Sequence, residues 1–221
     1  MTEHPNADPI ASVAALDEPT RRRLYEHVVA QRRPVGRDEA SAAVGVSRAT
    51  AAFHLDRLAD EGLLDVVHER LTGRTGPGAG RPAKLYLRSD RQVAVSLPDR
   101  RYDLAGRLLA DAVAEAESAG VPVREALSRL ARAEGEGIGA AAAPAEVAEV
   151  LADHGFEPLR EADTIRLGNC PFHELAQRQA ELVCGMNLEL VCGVLDGLGD
   201  TGHAARLDPA PSYCCVVLDP V

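Results

Sequence analysis

No window of this 221-residue sequence approaches the ~20 apolar residues that a membrane span requires, and its opening MTEHPNADPIASVAALDEP is polar and broken by proline. A membrane protein and a secretory leader are thereby set aside, and a cytoplasmic location is expected. Surplus positive charge is also missing: the formal net charge is -10. Spread evenly, that charge would argue against a nucleic-acid partner, but it is not spread evenly. Residues 1 to 101 hold 16 Lys and Arg against 14 Asp and Glu, whereas residues 102 to 221 hold 8 against 20. Such asymmetry accompanies a nucleic-acid-binding module carried by a second domain. Cysteine is absent until residue 170, after which Cys170, Cys184, Cys192, Cys214 and Cys215 crowd the last quarter. In a reducing compartment, five thiols, an odd number, point to structural, metal-binding or redox-active roles before disulfides.

In the front half, LDEPTRRRLYEHVVA carries a helix-start signal, with Asp17 as cap, Pro19 in the first turn, and Leu24, Val28 and Val29 at helical spacing. After Pro34 and Gly36 comes RDEASAAVGVSRATAAFHLDRLADEGLLDVV. A short helix ends near Ala43, Val44-Gly45-Val46 makes a tight turn, and Ser47 caps a second helix that runs to about Glu61 and stops at Gly62. Two helices so joined form a helix-turn-helix, whose second helix can enter the major groove. With Phe53, Leu55, Leu58 and Ala59 facing the core, Ser47, Arg48, Thr50, Ala51, His54 and Arg57 are the expected DNA contacts. A plain helical hairpin with a solvated face is the bland alternative. Strand-like residues 63–71 and 83–87 then bracket TGRTGPGAGRP, a turn-rich tip with Arg74 and Arg81 in it and Arg70 and Lys84 beside it. A hairpin in that place is a wing, and its cations can reach phosphates or a minor groove.

Through ALDEPTRRRLYEHV, VSRATAAFHLDRLADEGLL and GRPAKLYL, residues 12–90 resemble the winged helix-turn-helix of bacterial ArsR/DeoR-like regulators. The resemblance implies a double-stranded DNA operator as partner and leaves the operator sequence open.

Residues 91–154 read as a linker with one possible short strand, followed by alanine-rich helices ended by glycine or proline, with Leu104, Leu108, Leu109 and Val113 on one face. Helices of this kind pair subunits in winged-helix regulators, and a two-half-site operator demands a homodimer. Packing within one domain is the alternative.

Residues 155–221 suggest two strands around Glu161-Ala162-Asp163, a helical region over 171–198, and two further strands at HAARLDP and YCCVVL. The whole is then an α+β protein in three parts: a winged helix-turn-helix (12–90), a helical linker and dimerisation segment (91–154), and a small α+β sensor domain (155–221). One straight helix from Cys170 to Cys184 would part the thiols by ~21 Å, whereas ligands of one metal site lie within ~7 Å. Shared ligation therefore requires a break near Gln179-Ala180. Both thiols would then sit at helix N-termini, where their pKa would fall. Cys192, ~12 Å further along the helix, reads as a small buried hydrophobe. Cys214 and Cys215, adjacent on a strand, would point to opposite faces, so that only one ligates readily. Taken alone, the spacing matches no zinc-finger pattern, and inert buried cysteines explain it as well.

The strings NCPFHELA, VCGMN and DPAPSYCC, within residues 155–218, resemble the C-terminal domain of SufR-type regulators, repressors of iron–sulfur assembly operons. The resemblance implies an iron–sulfur cluster, 4Fe-4S favoured, on Cys170, Cys184 and one of Cys214 and Cys215. The second cysteine of that pair, His173, a carboxylate or an exogenous thiol is left as fourth ligand. Gln179-Ala180 stands where relatives often carry His-Pro. A transcriptional repressor without catalytic activity is the expectation. A regulator sensing zinc or a small apolar ligand is the nearest alternative, and a thiol enzyme using Cys170 beside His173 is a more distant one.

Overall fold

The computed structural model describes residues 8–69 and 82–221, and the chain separates into two compact units that divide between Val95 and Ser96.

The first unit opens with α1 (Pro9–Ala15), capped by Asp8, an element the proline-broken sequence did not suggest. In α2 (Pro19–Gln31) the cap is Glu18 and not Asp17, its carboxylate accepting from the Thr20 and Arg21 amides. A two-residue strand, β1 (Val35–Gly36), leads into α3 (Arg37–Val44) and α4 (Arg48–Asp60). The hairpin strands are β2 (Leu64–Glu69) and β3 (Ala83–Arg88), antiparallel with Val66 opposite Tyr86. β1 pairs with β3, giving a sheet of order β1-β3-β2. Leu24, Val28, Val35, Leu55, Leu58, Leu64 and Tyr86 form the core that the helices and sheet share. Each such aliphatic side chain contributes about 1.5–3 kcal/mol on burial. Three helices followed by a hairpin constitute a winged helix-turn-helix.

The second unit begins with α5 (Tyr102–Ala119), α6 (Val123–Ala142) and α7 (Val147–Asp153). The buried stripe of α5 is Ala105, Leu108 and Ala112, while Val113, expected on that face, is exposed. Next come β4 (Pro158–Glu161) and β5 (Thr164–Leu167), joined through Ala162 at φ 55°. Then follow α8 (His173–Arg178), α9 (Ala180–Leu198), β6 (His203–Leu207) and β7 (Val216–Pro220). The sheet is antiparallel, ordered β4-β5-β7-β6. Residues 89–101 contain no strand.

α6 and α9 form the centre of this unit, and their approach depends on glycine. A Cβ at Gly135 would lie 2.0 Å from the Leu190 carbonyl oxygen, and one at Gly139 2.3 Å from that of Val194. Reciprocally, Cβ atoms at Gly193 and Gly197 would meet the carbonyls of Arg132 and Glu136 at 2.0 and 2.1 Å. The two backbones therefore touch directly along a four-residue repeat on each helix. Because α5, α6 and α9 share one core with the C-terminal sheet, residues 102–142 and the cysteine-bearing region belong to a single unit.

Candidate nucleic-acid interface and thiol site

The turn between α3 and α4 is built locally. Gly45 adopts φ +74° at the end of α3, its amide bonding the Ser41 carbonyl at 2.9 Å. Ser47 then caps α4, its hydroxyl accepting from the Thr50 amide at 3.0 Å and contacting the Thr50 hydroxyl at 2.8 Å. Ala51, Leu55, Leu58 and Ala59 are the inward face of α4. This corrects two expectations. Ala51 is fully buried and has no surface to offer DNA, whereas Phe53 is 67% exposed. His54 is also turned in, its Nδ1 3.6 Å from the Glu18 carboxylate and its side chain only 13% exposed.

Among the described residues, the cations expected at the interface, Arg48, Arg57 and Lys84, are engaged. Arg48 pairs with Asp38 at 2.5 Å, and Arg57 with Glu61 at 2.5 Å. Lys84 pairs with Asp56, which also accepts from the Tyr86 hydroxyl at 2.6 Å. Burial pushes the Asp56 carboxyl up, but the Lys84 and Tyr86 hydrogen bonds outweigh it and hold the group below the usual carboxylate range. A cleft of about 690 Å³ brings Arg48 and Lys84 together with Arg33 and Arg37, two arginines the sequence reading passed over. They join the site through tertiary structure, since no helical spacing relates them to α4. Arg70, Arg74 and Arg81 of the expected wing tip lie outside the described residues.

In the second unit, Gln179 (φ -139°, ψ 60°) interrupts the helix between α8 and α9. That break lies where ligation by Cys170 and Cys184 would require it. Cys170 stands in the turn after β5, Cys184 in the opening turns of α9, and Cys214 and Cys215 in the bend before β7. The last pair is not on a strand, so the alternation of faces does not apply, and both residues are buried. Neighbouring thiols influence three of these groups: Cys214 acts on Cys170, Cys170 and Cys215 act on Cys214, and Cys215 acts on Cys184. The four cysteines therefore lie within electrostatic reach of one another. They are not gathered around one point: among the described residues no three His, Cys, Asp or Glu side chains stand in a metal-holding arrangement. Asn187, fully buried one turn beyond Cys184, donates from Nδ2 to the Cys214 sulfur at 3.1 Å, while its Oδ1 has no hydrogen-bond partner.

These surroundings raise the Cys170, Cys184 and Cys214 pKa values, the reverse of the helix-terminus expectation. The Cys214 thiol and burial both push Cys170 up, and burial pushes up Cys184. At Cys214 the Cys170 thiol acts downward, but the Cys215 thiol and burial outweigh it and push the group up to about 11. Neighbouring thiols and burial together set these shifts, with burial leading at Cys184. Cys192 stands apart, half-buried near Arg132, its thiol raised chiefly by burial. His173 is exposed and its imidazole bonds Gln177 at 2.9 Å, so it points to neither Cys170 nor the other sulfurs.

A family described as a helix-turn-helix domain matches residues 16–67, the stretch from just before α2 into β2. Fold and match together define a winged helix-turn-helix domain, and with it a DNA-binding transcriptional regulator. Searches of curated proteins and of solved structures gave no match to the chain. Among the described residues no helix is long and apolar enough to cross a membrane.

Proposed function

We propose that the chain is a homodimeric transcriptional repressor whose hold on its operator is set by an iron–sulfur cluster on Cys170, Cys184, Cys214 and Cys215. The observation that supports this reading is that four of the five cysteines, from three separated segments, come within electrostatic reach of one another, with Cys170, Cys214 and Cys215 buried and Cys184 half-buried, although they do not stand around one point. Four sulfur donors are the set that iron–sulfur clusters use, and the Asn187 N–H bonded to a sulfur is the kind of second contact that adjusts such sites. The donor chemistry is that of the group, and loading it would draw the four sulfurs around one point and release their thiol protons. A bound 4Fe-4S cluster supplies a redox- and oxygen-sensitive centre. The repressor sense rests on the resemblance to SufR-type regulators, and the dimer on the two half-sites of a winged-helix operator and the alanine-rich helices of residues 91–154. Raised thiol pKa values disfavour the enzyme reading, since a protonated thiol is a poor nucleophile.

Zinc is the second reading, because four cysteine sulfurs also make a structural zinc set. Purification without oxygen, with absorption spectra and iron, sulfide and zinc analysis of wild type and Cys170→Ser, separates the two. Visible absorbance with iron and acid-labile sulfide, lost in the variant, is the expected result. Colourless protein with stoichiometric zinc selects the zinc site, and colourless metal-free protein that resists reconstitution sinks both. Regulation further requires that loaded and unloaded protein differ in operator affinity, typically by about 1–3 kcal/mol. Titration of both forms against a duplex selected from a randomised library reads that difference.

A further inference from the structure

The chain has three phenylalanines, and their placement is unequal. Phe156 and Phe172 are buried at 2% and 0% exposure, while Phe53 stands 67% exposed near the middle of α4. The Phe53 ring lies edge-on to His54, centroids 5.2 Å apart at 69°, and His54 is itself tucked toward Glu18. Ala49, four residues earlier and exposed, and Ala52, half-buried, complete an apolar strip on the face away from the core.

The polar side chains around that strip are already engaged within the unit. Ser47 bonds Thr50, Arg48 pairs with Asp38, Asp56 holds Lys84 and Tyr86, and Arg57 pairs with Glu61. The helix has no Asn or Gln to read adenine, and both its arginines carry acidic partners in place of guanine. Outward on the first half of α4, the side chains without a polar partner among the described residues are Ala49 and Phe53, beside the exposed Arg48–Asp38 pair. In the major groove the apolar group that a base pair presents is the thymine 5-methyl.

We propose that Phe53, with Ala49, is a specificity-determining contact that recognises thymine through its methyl group in the major groove of duplex DNA. This rests on the DNA-binding reading of the helix-turn-helix. It makes the preferred site depend on methyl contacts more than on base hydrogen bonds.

The test uses the full chain. Wild-type protein is first used to select a duplex from a randomised library, and each thymidine of the winner is then replaced singly by deoxyuridine. Affinities of wild type, Phe53→Ala and Phe53→Leu are read by fluorescence anisotropy, with self-association followed by sedimentation. At one or two positions deoxyuridine weakens wild type by about three- to tenfold. Phe53→Ala binds the thymidine and deoxyuridine duplexes equally, and Phe53→Leu keeps part of the difference. If Phe53→Ala is folded but binds too weakly to measure, Phe53→Leu carries the comparison. Methyl removal without effect at every position overturns the proposal, as does Phe53→Ala that stays as methyl-sensitive as wild type. A change in self-association without loss of methyl sensitivity assigns the ring to a protein contact instead. Wild type that enriches no duplex removes the DNA-binding reading, and this inference falls with it.

Discussion

Two pairs of helices in this protein depend on glycine for opposite reasons. Between α3 and α4, Gly45 is needed for its backbone: φ is +74°, and nothing lies within 4 Å of where a Cβ would be. Between α6 and α9, Gly135, Gly139, Gly193 and Gly197 keep helical backbones, and what matters is the missing side chain, because a Cβ would run into the partner's carbonyls. The first requirement is local and can be written into three or four consecutive residues. The second is shared between segments some sixty residues apart.

That contrast can be broken most forcefully at the crossing. Gly135→Ala or Gly193→Ala places a methyl 2.0 Å from backbone that cannot swing away, so each costs the second unit about 3 kcal/mol or more. Urea denaturation followed by circular dichroism measures this; a loss under 1 kcal/mol would mean that the helices separate cheaply. Gly45→Ala has all the room it needs and loses only the conformational preference, about 1–2 kcal/mol, with Gly45→Asn recovering part of it. The same denaturation experiment, read on the first unit, shows whether space or φ governs there.

A smaller effect tests the polar side of the first unit. Asp56→Asn removes the charge that holds Lys84 and Tyr86, but the pair is 48% and 36% exposed, so solvent screening limits the loss to under about 1 kcal/mol. Because the Asp56 carboxyl lies below its usual range, its contribution is full above the ordinary aspartate range and fades as pH falls through the lowered folded value. Wild type and variant should therefore converge in stability in strong acid and differ most near neutrality. The smallest change sharpens the glycine comparison from within α6 itself. Gly137 is exposed with nothing within 4 Å, so Gly137→Ala should stabilise by about 0.5–1 kcal/mol in the same helix that Gly135→Ala destabilises.

The helix-turn-helix was legible because its signals are consecutive: a glycine at the turn, Ser47 as cap, and a stripe of apolar residues behind them. Orientation was harder. Phe53 outranks Ala51 in hydrophobicity, yet residues 51, 55, 58 and 59 keep the helical spacing, and Phe53, two positions from Leu55, falls on the other side. In the second unit the break at Gln179 stands where shared ligation by Cys170 and Cys184 would need it, but the break itself does not show such ligation. The Cys214-Cys215 pair could not be placed, because a bend with Ser212 at φ 66° postpones the strand until Val216. Thiol acidity was misjudged for a related reason: helix position is visible in sequence, whereas burial among other thiols is not. The glycines of the crossing read as ordinary helix residues or helix ends, since their purpose lies on a distant segment.

α9 carries Cys184 in its opening turns and Gly193 and Gly197 further on, roughly 13 Å and more along the same rod. Where backbones meet without intervening side chains, there are no rotamers to absorb a shift, and neither helix can slip by a residue without driving carbonyls into Cα atoms. In mechanical terms the crossing is a weld and not a bearing. A displacement imposed at the Cys184 end of α9 would have to carry α6 with it or force the two backbones apart.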